Sequence, residues 1–366
     1  MQVVVFTGGG TGGHVYPGIA LAQALMPRVQ LRLVWIGSKT GIERQVIEAL
    51  GWEYQPVSTG KLRRYLDWRN VTDLFRIVAG YFQARKLLTS LKPTFVFSKG
   101  GFVSVPPVRA ARSLGIPVYS HESDLDPGLA TRLNLGSSSL LFVAYEATKK
   151  VFSAAVQKKI VVSGNPVRSD FFTPAATPLS GLFPVPVGAP VLVVLGGSLG
   201  ALQVNTLLQR ALPELEGKVF VVHQTGSQWL ALPDTPWYVS RAFFSTQMPA
   251  LLQGATLVFG RSGAGTLWEA AACNVPLLLL PLGEGSRGDQ GRNAAHFASH
   301  GAAIVLDNLT TPRELAEQVI GLVNDAARRS SMGQELAKFG ARQASSKMAE
   351  VLLERHPELK AGADSV

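Results

Sequence analysis

A glycine-rich stretch near the start of the chain constrains the fold more than any other feature. Five glycines fall between Gly8 and Gly13, after the apolar run Val3–Phe6 and before a helical apolar pattern that starts at Ile19. Glycine lets backbone N–H groups approach a bulky group closely, and a helix N-terminus behind the turn favours negative charge. This order of strand, glycine turn and helix predicts a phosphate or diphosphate site. The alternative is a tight strand-to-helix turn that binds no ligand.

The same glycines satisfy the spacing G-x-G-x-x-G of dinucleotide-binding loops. That fingerprint requires an acidic residue about 20 positions further on, at the end of the second strand, to bind a ribose hydroxyl. The second strand is predicted over Leu31–Ile36, and the next acidic residue is Glu43. A nicotinamide or flavin site is therefore disfavoured. A P-loop is excluded because no Gly-Lys-Ser/Thr closes the motif.

The composition indicates a packed globular protein with room for two domains. The chain has 366 residues, of which 46% are hydrophobic and 16% are charged, and this balance is not that of a disordered protein. Cys273 is the only cysteine, so no internal disulfide can form and a reducing cytosol is expected. Its alanine-rich surroundings indicate a packed helix and not a nucleophile. The longest apolar run, near Val275–Leu282, is far shorter than the roughly 20 residues that span a bilayer.

The positive charge is confined to the first half of the chain. Residues 1–164 hold 20 Lys and Arg against 9 Asp and Glu, which gives +11, whereas residues 165–366 hold 15 against 16, which gives −1. Such asymmetry predicts an anionic partner, either nucleic acid or acidic lipid. Nucleic acid is the weaker interpretation, because no stacking-aromatic motif or recognition helix accompanies the charges.

A basic segment over Lys61–Arg69 leads into a helix with apolar residues at helical spacing. The apolar positions are Leu74, Phe75, Val78, Tyr81 and Phe82, and the flanking basic residues are Arg76, Arg85 and Lys86. A basic amphipathic helix of this kind is typical of membrane-surface contact. The alternative is that the apolar stripe faces the domain core and the arginines are merely solvated.

Strands alternate with helical patterns along the whole chain, as a parallel sheet with crossover helices requires. After a Pro- and Ala-rich segment over 173–190, the design restarts with the strand Val191–Leu195, the glycine turn Gly196–Gly200 and a helix over Leu202–Leu212. The predicted fold class is therefore α/β, with two Rossmann-like doubly wound parallel-sheet domains that face a shared cleft.

Polar residues follow the predicted strand Val118–Ser120, in the order His121, Glu122, Ser123 and Asp124. Ligands of open α/β sheets bind outside the carboxyl ends of the strands, so these residues are candidates for a binding site. Helix capping by Ser123 or Asp124 is the alternative for each of them taken singly.

Six motifs occur in an order that resembles the MurG family, the N-acetylglucosaminyltransferases of peptidoglycan synthesis. They are Thr7–Gly18, the His121-Glu122 loop, Gly164–Arg168, Gly196–Ala201, Arg261–Ala264 with Glu269, and Gln290 with Asn293-Ala294. The resemblance runs from residue 3 to about residue 350. It implies the GT-B type of glycosyltransferase fold, with an acceptor- and membrane-binding domain over 1–163 and a UDP-sugar-binding domain over 164–340. Residues 341–366 would form a helix that packs back on the first domain, followed by a polar tail.

The resemblance also implies a reaction. N-acetylglucosamine would move from UDP-N-acetylglucosamine to the C4 hydroxyl of undecaprenyl-diphosphate-linked N-acetylmuramoyl-pentapeptide, with inversion at the anomeric carbon. This step converts lipid I to lipid II in cell wall synthesis. The enzyme would need no cofactor and no bound metal, and it would act peripherally on the anionic cytoplasmic face of the cell membrane. The alternative is a related glycosyltransferase with a different lipid or small-molecule acceptor.

Matching the motifs residue by residue assigns the substrate contacts. Glu269 would accept hydrogen bonds from the ribose hydroxyls, Ser198 and Arg168 would bind the diphosphate, and Gln290 would bind sugar hydroxyls. Backbone groups around Phe244 would recognise uracil. The full set of expected substrate-binding residues is Thr11, Gly12, Gly13, Asp124, Arg168, Ser198, Phe244, Ala264, Gly265, Thr266, Leu267, Trp268, Glu269 and Gln290.

The chain departs from the family pattern in the loop after His121-Glu122, where Ser123 and Asp124 replace glutamine and asparagine, and at Gly265. Asp124 stands where many members have asparagine, and an ionised aspartate cannot donate a hydrogen bond to the sugar amide. Gly265 stands where leucine is common, and a backbone contact would serve there equally well.

His14 is the candidate general base for the acceptor hydroxyl. It follows the glycine loop directly, and an imidazole ordinarily titrates near neutral pH. The alternative is that His14 packs against the loop and orients the acceptor diphosphate. Glu122 is the second catalytic candidate, and a structural or positioning role is favoured for it.

Overall fold

The computed structural model describes residues 2–60, 69–197, 200–283 and 288–360. The predicted basic segment falls outside this range as far as Trp68, and Ser198 also lies outside it. The chain divides into two compact units, which we call unit 1 (Met1–Arg168 with Gln343–Val366) and unit 2 (Ser169–Arg342).

Unit 1 contains a parallel sheet in which seven strands are described, in the order β3-β2-β1-β4-β5-β6-β7. The strands are β1 (Gln2–Thr7), β2 (Leu31–Ser38), β3 (Glu53–Val57), β4 (Phe95–Ser98), β5 (Val118–Glu122), β6 (Leu140–Val143) and β7 (Ile160–Val162). The helices are α1 (Tyr16–Leu25), α2 (Ile42–Ala49), α3 (Arg69–Leu91), α4 (Val105–Ser113), α5 (Leu129–Leu135), α6 (Glu146–Lys150) and α7 (Ala154–Gln157).

The strand order of unit 1 reverses between β1 and β4, which pair in parallel up to Thr7 and Ser98. The loops that follow these two strands are Gly8–Gly13 and Lys99–Gly101, and both leave the same edge of the sheet. A reversal of strand order is the place where open α/β sheets bind ligands. The fold therefore brings both glycine loops to one candidate site.

Side chains of the strands alternate between two apolar layers, as the period of a strand requires. Phe6 and Trp35 belong to one layer, and this layer also contains Met348 and Leu352 from the last long helix. Val5 belongs to the opposite layer, under α3 and α4. The C-terminal helix therefore completes the core of unit 1.

Helix α3 packs on unit 1 through Ala84 and Leu88, which are fully buried. The face predicted from its apolar spacing is a different one, and most of it is exposed: Leu74 by 55%, Phe75 by 71%, Val78 by 48% and Phe82 by 63%. The alternative in which this stripe faces the core is therefore wrong for these four residues. None of the helices in the described residues has the length and apolarity needed to cross a bilayer.

Unit 2 contains a second parallel sheet, with six described strands in the order β10-β9-β8-β11-β12-β13. They are β8 (Val191–Leu195), β9 (Phe220–Gln224), β10 (Tyr238–Arg241), β11 (Leu257–Gly260), β12 (Leu277–Leu279) and β13 (Ala303–Val305). The remaining helices are α8 (Leu179–Leu182), α9 (Leu202–Leu215), α10 (Met248–Gln253), α11 (Ala264–Ala272), α12 (Asp289–Ser299), α13 (Pro312–Asn324), α14 (Ala326–Ala337) and α15 (Ala341–Arg355), of which residues from 343 onward belong to unit 1.

The strand order of unit 2 reverses between β8 and β11, as that of unit 1 does between β1 and β4. The predicted fold class of two doubly wound parallel-sheet domains is thereby confirmed.

Candidate functional site

Buried side chains form hydrogen bonds with the first glycine loop of unit 1, Gly8–Gly13. The indole N–H of Trp35 donates to the Gly8 carbonyl over 3.1 Å, and the Gly10 N–H donates to Oε2 of Glu43 over 3.0 Å. The other oxygen of Glu43 accepts from the N–H of Ser38 over 3.1 Å and from the Ser38 hydroxyl. Glu43 is fully buried. The first acidic residue after the second strand therefore binds the protein's own loop, and sequence reasoning missed this role.

The two glycine loops of unit 1 interlock. A Cβ on Gly101 would lie 2.4 Å from the Gly9 carbonyl oxygen, and a Cβ on Gly10 would lie 2.7 Å from the Phe102 ring. Both glycines have positive φ, 74° at Gly101 and 87° at Gly10. Glycine is required at both positions because a side chain would clash there and would strain the backbone.

His14 lies against the second glycine loop and is half-buried, with its ring 3.3 Å from the ideal Cβ position of Gly101. Its Nδ1 lies 2.9 Å from the hydroxyl oxygen of Thr11. Burial, and secondarily the Lys99 ammonium, lower the pKa of His14 to about 3. The expectation that it titrates near neutral pH is therefore wrong for the structure as it stands. Thr11 and Gly13 are exposed beside it, and Gly12 is half-buried.

Glu122 organises the loop after β5. Its Oε1 accepts from the N–H of Asp124 over 3.1 Å, and its Oε2 accepts from the N–H of Gly128 over 2.9 Å and from the Thr131 hydroxyl over 2.6 Å. The side chain is buried. A carboxylate with these donors already bound to it is suited to positioning the loop, which supports the role favoured for Glu122 over proton transfer.

Lys99 follows β4 directly and is only 2% exposed. Its charge interacts with the carboxylates of Glu122 and Asp124, but burial has the larger effect and lowers the pKa of the ammonium. Sequence analysis did not single out Lys99. A lysine directly before two glycines at the end of a strand was the available signal.

The segment Gly164–Arg168 is tied to the same edge of the sheet. The Gly164 carbonyl accepts from Nε2 of His121 over 3.0 Å, and Oδ1 of Asn165 accepts from the Ser123 hydroxyl over 2.6 Å. The guanidinium carbon of Arg168 lies 4.9 Å from the centre of the Tyr16 ring, at the start of α1. Arg168 is thus placed beside the first glycine loop, within unit 1.

In unit 2, the first turn of α11 carries most of the predicted donor contacts. Gly265, Thr266 and Glu269 lie on its half-buried face, whereas Leu267 and Trp268 are fully buried. Ala264 is also largely buried. The side chains of Leu267 and Trp268 therefore face the core. The first N–H groups of a helix lack partners within it, so the main chain over 264–266 is the part of this motif suited to an anion.

Gln290 lies in the first turn of α12 and is hydrogen-bonded to the loop after β11. Its main-chain carbonyl accepts from the Ser262 hydroxyl over 2.7 Å, and its Oε1 accepts from the Leu282 N–H over 3.0 Å. Nδ2 of Asn293 donates to the Ser262 carbonyl over 3.3 Å. Because Oε1 is engaged, the amide nitrogen of Gln290 is the end of the side chain suited to donate to a sugar hydroxyl.

Phe244 is buried, and its N–H donates to Oε1 of Gln224 over 2.9 Å. Nε2 of Gln224 donates in turn to the Gly197 carbonyl over 3.2 Å. The side chain of Gln224 thereby links the glycine loop after β8 to the predicted uracil contact. Sequence analysis did not single out Gln224.

A cavity of about 640 Å³ lies at the carboxyl edge of the unit 2 sheet. Gly196, Arg261 and Gln290 contribute to its wall, whereas Thr266 and Glu269 do not. The guanidinium of Arg261 donates to the carbonyls of Leu280 and Pro281, both over 2.8 Å, so it braces the wall. Within the described residues, no cluster of three or more His, Cys, Asp or Glu side chains is arranged to hold a metal ion.

Comparison with known families gives two matches in the same order as the units. The Glycosyltransferase family 28 N-terminal domain matches residues 4–136, and the Glycosyltransferase family 28 C-terminal domain matches residues 191–348. Together these ranges cover more than half of the chain.

Curated relatives match over most of their length. The proteins of Treponema denticola and Shouchella clausii are both named UDP-N-acetylglucosamine–N-acetylmuramyl-(pentapeptide) pyrophosphoryl-undecaprenol N-acetylglucosamine transferase. The first is 40% identical over 84% of this chain and 84% of its own. The second is 38% identical over 87% of this chain and 90% of its own.

Solved glycosyltransferase structures match the fold of this chain over nearly its whole length. The crystal structure of Acinetobacter baumannii MurG matches with a TM-score of 0.70 at 25% identity, covering 97% of this chain and 100% of that one. The glycosyltransferase of kitacinnamycin matches with a TM-score of 0.71 at 18% identity, covering 96% and 98%. At that lower identity the second likeness concerns the fold alone.

Proposed function

We propose that this chain, which belongs to glycosyltransferase family 28, transfers N-acetylglucosamine from UDP-N-acetylglucosamine to the C4 hydroxyl of undecaprenyl-diphosphate-linked N-acetylmuramoyl-pentapeptide. The step converts lipid I to lipid II in peptidoglycan synthesis. The observation that carries the proposal is the 40% identity, over 84% of both chains, to a relative named for this transfer. The alternative, a related transferase with another acceptor, rests on the shared fold only.

The donor is assigned to unit 2. The main-chain N–H groups over 264–266 and the dipole of α11 suit the diphosphate. Glu269, one turn further along the half-buried face, suits the two ribose hydroxyls because a carboxylate accepts from both. The amide nitrogen of Gln290 suits a hydroxyl of the sugar. Ser198 stays a predicted diphosphate contact from unit 2, and Arg168 stays one although it belongs to unit 1.

The acceptor is assigned to unit 1, with His14 as the general base. In the tautomer whose Nδ1–H donates a hydrogen bond to the Thr11 hydroxyl, Nε2 has the free lone pair and can accept a proton. Nε2 takes the proton of the C4 hydroxyl while that oxygen attacks the anomeric carbon. The bond to UDP breaks on the opposite face, which inverts the anomeric centre. The acceptor diphosphate, bound to the loop beside the imidazole, favours the protonated ring and raises the pKa of His14 in the complex.

Transfer assays test this proposal directly. Purified protein is given UDP-N-acetylglucosamine and either the lipid-linked muramoyl-pentapeptide, a glycolipid or a small aglycone. We expect product only with the first acceptor. Thermal shifts with several nucleotide sugars test the donor separately, and UDP-N-acetylglucosamine should stabilise most. Transfer to the other acceptors alone would favour the alternative function.

We also propose that unit 1 docks on an anionic membrane surface through α3. Its exposed apolar stripe, described above, includes Phe75 and Phe82, and residues 1–164 carry a net charge of +11 from 20 basic and 9 acidic side chains. An apolar helix face within a basic surface inserts at the headgroup level of a bilayer. Each basic residue near an anionic leaflet adds about 1 kcal/mol of attraction, so several suffice for reversible binding.

Vesicle flotation tests the docking surface. We expect Phe75→Ser with Phe82→Ser to reduce binding to vesicles that contain phosphatidylglycerol by about tenfold or more, because two aromatic rings that would insert into the bilayer are lost. Leu309→Ser is the matched control, since Leu309 is 87% exposed in unit 2 and should not alter binding. Equal flotation of both variants, or binding that ignores salt and lipid charge, would contradict this surface.

A further inference from the structure

Lys99 lies at the point where the elements of the unit 1 site meet. Its N–H donates to the Thr7 carbonyl over 2.8 Å, which ties the end of β4 to the end of β1. Its Cβ lies 3.0 Å from where a Cβ on Gly8 would be. The side chain therefore starts directly beneath the first glycine loop, between the two strands where the sheet order reverses.

The surroundings of the ammonium contain ionisable groups from three segments. Its charge interacts with His14 from the first loop, with His121 and Glu122 from β5, and with Asp124 from the loop that follows. Glu43 faces the same glycine loop from α2. A buried ammonium needs anionic or polar partners, because removing it from water is otherwise costly.

The protein meets that need only in part. Both oxygens of Glu122 already accept from two main-chain N–H groups and the Thr131 hydroxyl. Lys99 is only 2% exposed, and its ammonium forms no hydrogen bond within the described residues. Its Nζ is not one of the fully buried side-chain atoms that lack a partner, so the ammonium keeps some contact with solvent. An ammonium has three N–H donors. Lys99 therefore has donors to offer to an anionic oxygen at the edge of the sheet.

We propose that Lys99 is a positioning residue for the acceptor, and that its buried ammonium attracts the acceptor diphosphate to the interlocked glycine loops beside His14. This inference rests on the proposed function, because the diphosphate belongs to the proposed acceptor. A positive charge under the loops adds to the α1 N-terminus, which alone is a weak and general anion site. The same charge disfavours the protonated form of His14 until the anion arrives.

Steady-state kinetics of Lys99→Met, with each substrate varied in turn, tests the role. Methionine keeps the apolar volume and removes the charge. We expect kcat/KM for the lipid-linked acceptor to fall about 30-fold or more, while KM for UDP-N-acetylglucosamine changes less than threefold. Lys99→Arg should recover part of the loss. Lys158→Met, at an exposed lysine of unit 1, is the matched control and should behave like the wild type.

A pH profile separates positioning from a merely structural role. Removing the charge should move the acidic limb of kcat/KM to higher pH, because His14 then protonates more easily. A structural role would lower the active fraction and the melting temperature but would leave both this limb and the KM ratio unchanged. If Lys99→Met folds poorly, Lys99→Gln carries the test, since it also removes the charge but keeps a polar end, and it should show the same shift of the limb.

Binding of inorganic pyrophosphate gives a readout that does not depend on transfer. With UDP present at saturation, calorimetry should show weaker pyrophosphate binding to Lys99→Met than to the wild type. Equal binding together with an unchanged acceptor KM would overturn the proposal. Absence of any transfer by the wild type would instead refute the proposed function, so the two failures are distinguishable.

Discussion

The two units use the same strand order and the same strand–glycine–helix design, but their sites differ in chemistry. In unit 1, ionisable side chains gather at the edge of the sheet, and Lys99 and Glu122 among them are buried. In unit 2, the corresponding edge offers helix N–H groups, the amides of Gln224 and Gln290, and the half-buried Glu269. Buried charges tune proton transfer, whereas neutral donors bind an anion without titrating.

The comparison separates two tasks. A base must accept a proton from a neutral hydroxyl, which requires an ionisable group whose pKa the surroundings control. A leaving diphosphate requires fixed dipoles that stabilise charge as it develops. We therefore expect proton transfer to depend on unit 1 and stabilisation of the leaving group to depend mainly on unit 2, and each prediction below tests one side.

The largest effect is expected for His14→Ala. Loss of a general base typically lowers the rate 100-fold to 10,000-fold, so kcat should fall at least about 100-fold, while the thermal shift with UDP should stay that of the wild type.

The pH profile gives a second test of His14. Because its pKa is about 3 before the acceptor binds, kcat/KM should show no inflection near pH 6.5. The acidic limb of kcat should lie at higher pH than that of kcat/KM. Near-normal turnover of the variant at saturating substrates would remove His14 from catalysis.

Gly101→Ala tests whether the interlocked loops are required in unit 1. Its φ is 74°, and the added methyl group would meet the Gly9 carbonyl at 2.4 Å. Strain and overlap together should lower the free energy of unfolding by about 2–3 kcal/mol, as measured by urea denaturation. Gly115→Ala is the control, because its φ is 70° with nothing within 4 Å, and it should lose only about 1 kcal/mol. Equal losses would show that the contact between the loops contributes nothing.

Glu269→Gln tests the donor side. Replacing a charged acceptor by a neutral one weakens hydrogen bonds to the ribose, so KM for UDP-N-acetylglucosamine should rise about tenfold. The acceptor KM should not change. Glu216→Gln, at an exposed position of unit 2, should leave both values as they are. If Glu269→Gln changed only the KM for the acceptor, the assignment of the donor to unit 2 would be wrong.

The smallest effect concerns acid stability in unit 2. Burial lowers the pKa of His223 to about 4, and its ring nitrogens lie 3.0 Å from the Tyr238 hydroxyl and 3.1 Å from Oδ1 of Asn205. The same imidazole has a pKa of about 6.5 in the unfolded chain. Between pH 6.5 and pH 4 the unfolded chain therefore binds more protons than the folded chain does, so the free energy of unfolding falls as the pH falls. His223→Gln should reduce that slope by at most about 1.4 kcal/mol per pH unit. Urea midpoints at pH 7, 6 and 5 measure it.

The control for the acid-stability test is a substitution that neither adds nor removes an ionisable group. Gln209→Asn, at an exposed position of unit 2, should keep the wild-type dependence of stability on pH. If His223→Gln and the wild type lose stability equally between pH 7 and 5, burial of this imidazole does not govern acid unfolding.

Local patterns were sufficient for the elements and for the fold class. The strand predicted over Val191–Leu195 has those bounds in the structure, and the helix predicted over Leu202–Leu212 extends over Leu202–Leu215. Apolar runs bounded by glycine turns determine such segments, because the period and the turn chemistry act over a few residues. The order of the six motifs likewise indicated the family before any coordinate was known.

The support of the glycine loop, the pKa of His14 and the exposed face of α3 depend on contacts between residues that are distant in the sequence. Glu43 supports the Gly10 N–H, 33 positions away, and no local pattern reveals such a pair. The pKa of His14 follows from burial and from Lys99, and the exposed face of α3 follows from which helical positions the core covers. Sequence by itself determined the strands, the glycine turns and the family. Only the tertiary structure determined which side chains are desolvated and which charges meet, because desolvation and charge pairing depend on distances in space and not along the chain.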